Sequence, residues 1–306
     1  MDESHKAILD RDNAQVLVKE HLKDAVDLLN ELLDYGTNLI PRAYGSSNRD
    51  IKATCLLFVQ LQQFLAHLDG LCVLIASGAA FTSCLQLRSM WEGALIMEWI
   101  LKADTDEKIR HLYVANLRKR RQWNSKIIPG TPEALRDPDA IRMAPLTPDQ
   151  LKGLTDEVAG IDAILSQAPY DQISAKFESN YQSRFFDKSW HDVYGGGSIK
   201  KIAESLNKEK QYNYFYSPYS GISHGSDIWK SVTLGSQVKM NALREVSDIP
   251  QVANLAATLT MSVYEMILDT YRPHERTNFA QKYKAEWQTR FMKRYNFKVE
   301  PIYVSI

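Results

Sequence analysis

Apolar residues recur at helical spacing over most of the chain, the pattern of α-helices with one buried face. From about Asn13 to Leu39, Val16, Val18, Leu22, Val26, Leu29, Leu32 and Leu33 form one stripe with Asp and Glu opposite, and Pro41 with AYGSSN is expected to end that helix. A second helix, capped by Asn48 or Asp50, should run to Ser77, with Gly78 as its stop. A third spans roughly Ala80 to Lys102. A fourth, capped by Asp104 or Thr105, carries His111, Tyr113 and LRKRRQWNSK. Ile127 to Thr147 holds Pro129, Pro132, Pro138 and Pro145 and reads as an insertion or lid. Thr147 as cap and Pro148 in the first turn open a helix through Leu165. Ala168 to Gly197 reads as an irregular aromatic connection, after which Ser198 restarts a short helix. A long helix from about Pro250 to Tyr271 turns Leu255, Leu259, Val263, Met266 and Ile267 inward. Thr277 to Tyr295 reads as a peripheral basic helix, and VEPIYVSI as an extended tail.

These elements predict an all-α fold: an up-and-down helical bundle with a Pro-rich insertion and a basic C-terminal helix. The expected divisions are an acidic N-terminal helix (1–48), a bundle carrying a polar site (49–272) and a basic aromatic extension (273–306). Lys plus Arg equals Asp plus Glu at 37 each, so global charge does not argue for a nucleic-acid partner. Cys55, Cys72 and Cys84 sit in apolar helical contexts without a CxxC pair and read as small buried hydrophobes. MDESHKAILDRD lacks a basic start followed by an apolar run, and charged or amide residues interrupt the apolar stretches short of a membrane span. The expectation is a soluble, cytoplasmic protein of bacterial type with no membrane association.

Tyr216, Ser220 and His224 fall four residues apart in YSPYSGISHG, on one helical face. Arg88 and Glu92 are also four apart, within the apolar stretch LQLRSMWEGALIMEWIL. A charge pair there needs buried partners, and Tyr216, Ser220 and His224 are the expected ones. Arg88 offers a planar fork of donors, and Glu92 can hold it. His224 alone in the set titrates near neutral pH. Gly221 and Gly225 allow close approach of backbone or ligand. One reading is an acid/base histidine with an arginine that binds phosphate or carboxylate. The other is a polar network that sets helix register.

The ordered set of LRSMWE, Trp190, the Ile202 to Leu206 helix, and then Tyr216, Ser220 and His224-Gly225 resembles the bacterial domain-of-unknown-function family 5677, over roughly residues 50 to 270. That resemblance implies an all-helical fold and a shared polar cluster at Arg88, Glu92, Tyr216, Ser220 and His224, but no activity. Such bundles are also similar to HEPN proteins, many of them ribonucleases of toxin and phage-defence systems, whose signature is an Arg followed closely by a His. Arg184 to His191, with six residues between, fits that spacing, with Phe185 where a polar residue usually stands. The leading expectation is therefore a HEPN-like, metal-independent ribonuclease or toxin-type phage-defence protein. His224 would move the proton, Arg88 would stabilise the phosphorane charge, Tyr216 would position it and Glu92 would orient Arg88. The alternative is a non-enzymatic scaffold or sensor that binds a small anion or a protein partner.

Basic runs bear on the partner. Arg118, Lys119, Arg120 and Arg121, near Trp123 and Lys126, are candidate RNA contacts, because charge tracks phosphates and rings stack on bases. The tail adds Lys282, Lys284, Arg290, Lys293, Arg294 and Lys298 among Tyr283, Trp287, Phe291, Tyr295 and Phe297. A solvated face is the competing reading, with the acidic first helix as an intramolecular or dimer partner for these bases. A homodimer or an antitoxin-like protein is the protein partner considered. No Glu-x-x-His pair occurs, and neither a metal nor a cofactor is expected. Ser220 and Ser223 lack a G-x-S-x-G turn, and YGGGSIK lacks the Gly-Lys-Ser ending of a phosphate loop. Gln60, Gln63 and His67 form a further polar line on the second helix.

Overall fold

A computed structural model describes residues 9–47, 51–137, 139–140, 146–179, 188–223, 232–234, 238–241, 243–295 and 303–305. The fold is all-α, with one small three-stranded sheet. The chain opens with α1 (Arg11–Leu17), a π turn, α2 (Lys23–Gly45), α3 (Ile51–Ala76), α4 (Ala80–Lys102) and α5 (Thr105–Ser125). Next come α6 (Pro132–Arg136), α7 (Pro148–Leu165), α8 (Tyr170–Ser179), α9 (Trp190–Tyr194), α10 (Ile199–Ser205) and α11 (Glu209–Gln211). A π turn at Tyr212–Tyr216 leads into α12 (Ser217–Ser223), then β1 (Val232–Leu234), β2 (Val238–Asn241) and α13 (Ile249–Tyr271). The chain closes with α14 (Arg276–Lys282), α15 (Gln288–Phe291) and β3 (Tyr303–Ser305). The strands run antiparallel in the order β1-β2-β3, with Val232 opposite Met240 and Met240 opposite Val304.

The compact units fall elsewhere than the divisions expected at 48 and 272. One comprises Met1–Leu101 with Ala203–Ile306, and the other Lys102–Ile202. Both the acidic first helix and the basic C-terminus therefore belong to the first unit.

In that unit, α2 packs against α3 and α13. Leu29, Leu32 and Leu39 of α2 are fully buried, as are Leu57, Leu61, Leu68 and Ile75 of α3. By length and composition, Thr54–Ala76 is apolar enough to cross a membrane. Here one of its faces lies in this core, and Gln62, Gln63 and Asp69 face solvent. Gly78 stops α3 at φ 78°, and Arg244 donates to the carbonyl and hydroxyl of Ser77 at 2.9 and 2.7 Å.

Four local expectations change. Val16 is 48% exposed, because the chain enters a π turn at Val18–Leu22 that rotates the stripe. Pro41 does not end α2. Its last turn is held from outside, by Ala43 in the core and by Arg272 donating to the Arg42 carbonyl at 3.1 Å. On α13 the deepest face is Val252, Ala256, Thr260, Val263, Tyr264 and Ile267, while Leu255, Leu259 and Met266 are half-buried. Cys55 is exposed, unlike Cys72 and Cys84.

The C-terminal helices are docked rather than peripheral. Trp287 and Phe279 are buried with Tyr35 and Tyr264, and Tyr35 meets the Trp287 ring edge-on at 5.6 Å. Glu31 accepts both Arg290 Nη groups at 2.6–2.7 Å and the Trp287 indole N–H at 3.1 Å. Lys293 pairs with Asp24 at 2.5 Å. The acidic first helix is thus the intramolecular partner of the tail.

The second unit is built on α5. Val114 packs with Ile161 and Leu165 of α7 and with Ile173 and Phe177 of α8. The Ala168–Gly197 stretch is therefore not wholly irregular: Ile173 and Phe177, one turn apart, give α8 its buried face. Thr147 and Gln150 form the capping box of α7, with Pro148 in its first turn.

Candidate functional site

The apolar face of α4 places Trp91 in the core, and its neighbours Arg88 and Glu92 lie at the edge of that face. Across from them is the aromatic segment Tyr212 to Tyr219. Phe215 stacks parallel to Trp91 at 6.4 Å, and Tyr212 and Tyr216 approach the same indole at 6.0 and 6.2 Å. Tyr212 and Tyr216 stack on each other at 4.9 Å. These tyrosines are four positions apart, the first and last residues of the π turn.

Arg88 lies over that stack, with its guanidinium carbon 4.3 Å from the Tyr216 ring centroid. One of its Nη groups donates to Glu92 Oε1 at 3.3 Å. The Arg88 side chain is 18% exposed and that of Glu92 35%. The pair is thus largely sheltered without being sealed. Arginine is weakly hydrated and stacks face-on with aromatic rings, so this arrangement suits it better than lysine. Burial raises the Tyr212 hydroxyl above the ordinary tyrosine value. Tyr219, half-buried beside Cys84, is raised for the same reason. Both phenols stay protonated at neutral pH and can donate hydrogen bonds.

Two of the expected contacts are present, Arg88 with Glu92 and Arg88 with Tyr216, and Ser220 lies half-buried one turn beyond Tyr216 on α12. His224 lies outside the described residues, as do Gly225 and Arg184. Trp91, Tyr212 and Phe215 complete the cluster without having been named as site residues; the density of rings in YNYFYSPYS was the signal for Tyr212 and Phe215, and Trp91 stands in LRSMWE. His67 faces α4, with Nδ1 2.7 Å from Gln86 Oε1. His191 uses Nδ1 on the Gly197 carbonyl at 2.5 Å.

In the second unit, the arginines of LRKRRQWNSK are engaged by acids. Arg118 donates to Ser174 at 2.8 Å and Glu178 at 3.2 Å, Arg120 pairs with Glu157, and Arg121 pairs with Asp162 at 2.5 Å. Lys119 is exposed. Among the described residues, no three His, Cys, Asp or Glu side chains are grouped so as to hold a metal ion.

A family model described as "Family of unknown function (DUF5677)" matches residues 54–237. The chain belongs to DUF5677. No curated protein and no solved structure gives a significant match. The span shared with DUF5677 contains Arg88, Glu92, Tyr216, Ser220 and His224, together with the second unit. It stops before α13 and the docked C-terminal helices, so the DUF5677 region holds the polar cluster but not the clamp on Glu31.

Proposed function

We propose that this DUF5677 protein is a cytoplasmic, metal-independent ribonuclease of toxin or phage-defence type in bacteria, HEPN-like in its chemistry. The observation that carries the reading is Arg88: a carboxylate-anchored guanidinium of α4, sheltered but reachable, stacked on Tyr216 of the segment that leads to Ser220 and His224. Such an arginine can meet the charge that develops on a phosphorane without first being reorganised. In the proposed step His224 takes the proton of a ribose 2′-hydroxyl as that oxygen attacks the adjacent phosphorus. The bond to the 5′-oxygen breaks, leaving a 2′,3′-cyclic phosphate, and the departing oxygen takes a proton from the imidazolium. Tyr216 holds the guanidinium plane, and Glu92 orients it. An antitoxin-like protein or a second copy of the chain would be the natural restraint on such an activity.

A second reading has its own support. Arg118, Arg120, Arg121, Arg290 and Lys293 all sit on carboxylates, which weakens the electrostatic case for a long RNA. It makes the protein a scaffold or sensor in which the Arg88 cluster binds a small anion or ties helices together.

The test pairs single-stranded RNA cleavage in chelator with melting curves, for the wild type and His224→Ala. The ribonuclease reading expects cleavage that falls by about a hundredfold or more in the variant, with the melting temperature nearly unchanged. No cleavage by either protein, with a large loss of melting temperature in the variant, favours the scaffold.

A further inference from the structure

The outward face of α3 has the composition of an interface rather than of a solvated surface. Between Lys52 and Arg88 the sequence has one acidic or basic residue, Asp69, although such residues make up 24% of the chain. Of the most apolar stretch of α3, 44% is buried. The remainder lies at or near the surface, where Val73 is 62% exposed and Val59 39%. The outward residues alternate in steps of four and three from Cys55 to Ala76, the seam spacing of paired helices. That seam reads alike in both directions from Ala66. Val59 and Val73 stand equally far from Ala66 on either side. Gln62 and Asp69 match to within one position, as do Cys55 and Ala76.

We infer that α3 pairs with α3 of a second copy of the chain, antiparallel about a two-fold axis close to Ala66. A two-fold contact needs a self-complementary patch, in which residue i meets j and j meets i. In this pairing Val59 packs on the partner's Val73, and Cys55 faces the partner's Ala76. The Gln62 amide donates to the partner's Asp69 carboxylate, so the one charge of the seam meets a donor. Ala66 crosses its own copy, and small residues at a crossing let two helices approach closely. A bilayer would match the valines but leave Gln62 and Asp69 without partners. The opposite face of α3 is already in the core with α2. A seam about 30 Å long covers less than the roughly 800 Å² a side of a standard interface, so the dimer is reversible, on the order of micromolar. The inference does not rest on the ribonuclease reading and shares no residue with it.

Sedimentation velocity of the full chain from about 1 to about 100 µM tests it, and a monomer–dimer equilibrium is expected over that range. Val73→Glu, at an exposed position, should abolish the dimer and leave the melting temperature of the dilute protein unchanged. Gln62→Lys sets a cation opposite Asp69 and should tighten the dimer about fivefold or more, whereas Gln62→Glu should loosen it by about as much. In a Cys55→Ser background, Ala66→Cys should crosslink to itself under mild oxidation, because the two α-carbons meet at the axis. Asn116→Cys, exposed in the second unit, should not. Three results overturn the assignment: a monomer at every concentration, a dimer that survives Val73→Glu, or a dimer that neither responds at Gln62 nor crosslinks at Ala66. A monomer in solution that binds phosphatidylcholine vesicles also overturns it and points to a membrane surface.

Discussion

The Arg88 guanidinium rests on the Tyr216 ring, 4.3 Å from its centroid, and this contact fastens the middle of α4 to the π turn that precedes α12. The ring provides the stacking face, whereas the hydroxyl is not needed for it. Tyr216→Phe is therefore expected to change stability by less than about 0.5 kcal/mol, and Tyr216→Ala to cost about 1–3 kcal/mol. Arg88→Lys keeps the charge but loses the stack and the fork to Glu92, so it should also destabilise. Urea denaturation of the three variants checks this, and equal losses for Phe and Ala would contradict it.

Gly36 marks where α2 meets α13. A Cβ at that position would stand 2.1 Å from the Tyr264 hydroxyl and 2.7 Å from Leu65 Cδ2. That hydroxyl is committed to the Leu32 carbonyl at 2.6 Å and cannot yield freely. Gly36→Ala gains up to about 1 kcal/mol in helix propensity. Overpacking should outweigh that gain, for a net loss of about 1–3 kcal/mol. A melting temperature at or above that of wild type would show that the two helices can separate.

The clamp of the C-terminal helices on α2 should weaken in acid. Hydrogen bonds from Arg290 hold the Glu31 carboxyl below its ordinary value of 4.5, and Lys293 holds Asp24 below 3.8. Both folded values are depressed. Their stabilisation is thus complete above about pH 4.5 and is lost as pH falls through the lower folded values. Glu31→Gln should cost about 1–2 kcal/mol at pH 7, discounted because the carboxylate is half exposed. It should also flatten the acid limb. Trp287 fluorescence followed from pH 7 to pH 3 in both proteins reads this out.

His111 sets a second pH dependence, in the other unit. Its ring is buried against Tyr194, its Nδ1 meets the Glu107 carbonyl at 2.9 Å, and its Nε2 has no partner among the described residues. Burial holds the imidazole below the ordinary 6.5. The folded protein therefore keeps it neutral where the unfolded chain already binds a proton. Stability is unaffected above pH 6.5 and declines as pH falls from there towards the folded value. His111→Phe retains a ring against Tyr194 and removes the titration. Denaturation midpoints at pH 7.5 and pH 5.5 should converge in the variant and diverge in wild type.

Much of the fold was legible in the chain itself. The Thr147 cap with Pro148, the Gly78 stop and the span of α4 rest on interactions within one or two turns, which a sequence displays directly. The Arg88–Tyr216 contact was legible for a different reason: charge placed in an apolar helix must find a partner, and the tyrosine-rich segment offered one. Tertiary structure alone decided the rest. Which face of α13 is deepest depends on Gly36 admitting Tyr264, and that Pro41 lies inside α2 depends on Arg272, 230 residues away. The basic runs look like one kind of surface in the sequence. Which of their charges pair with carboxylates inside the fold is decided by acids on other helices, such as Glu31 for Arg290 and Asp162 for Arg121. Periodicity reports which side of a helix is apolar. It carries no information about which distant charge that helix will face.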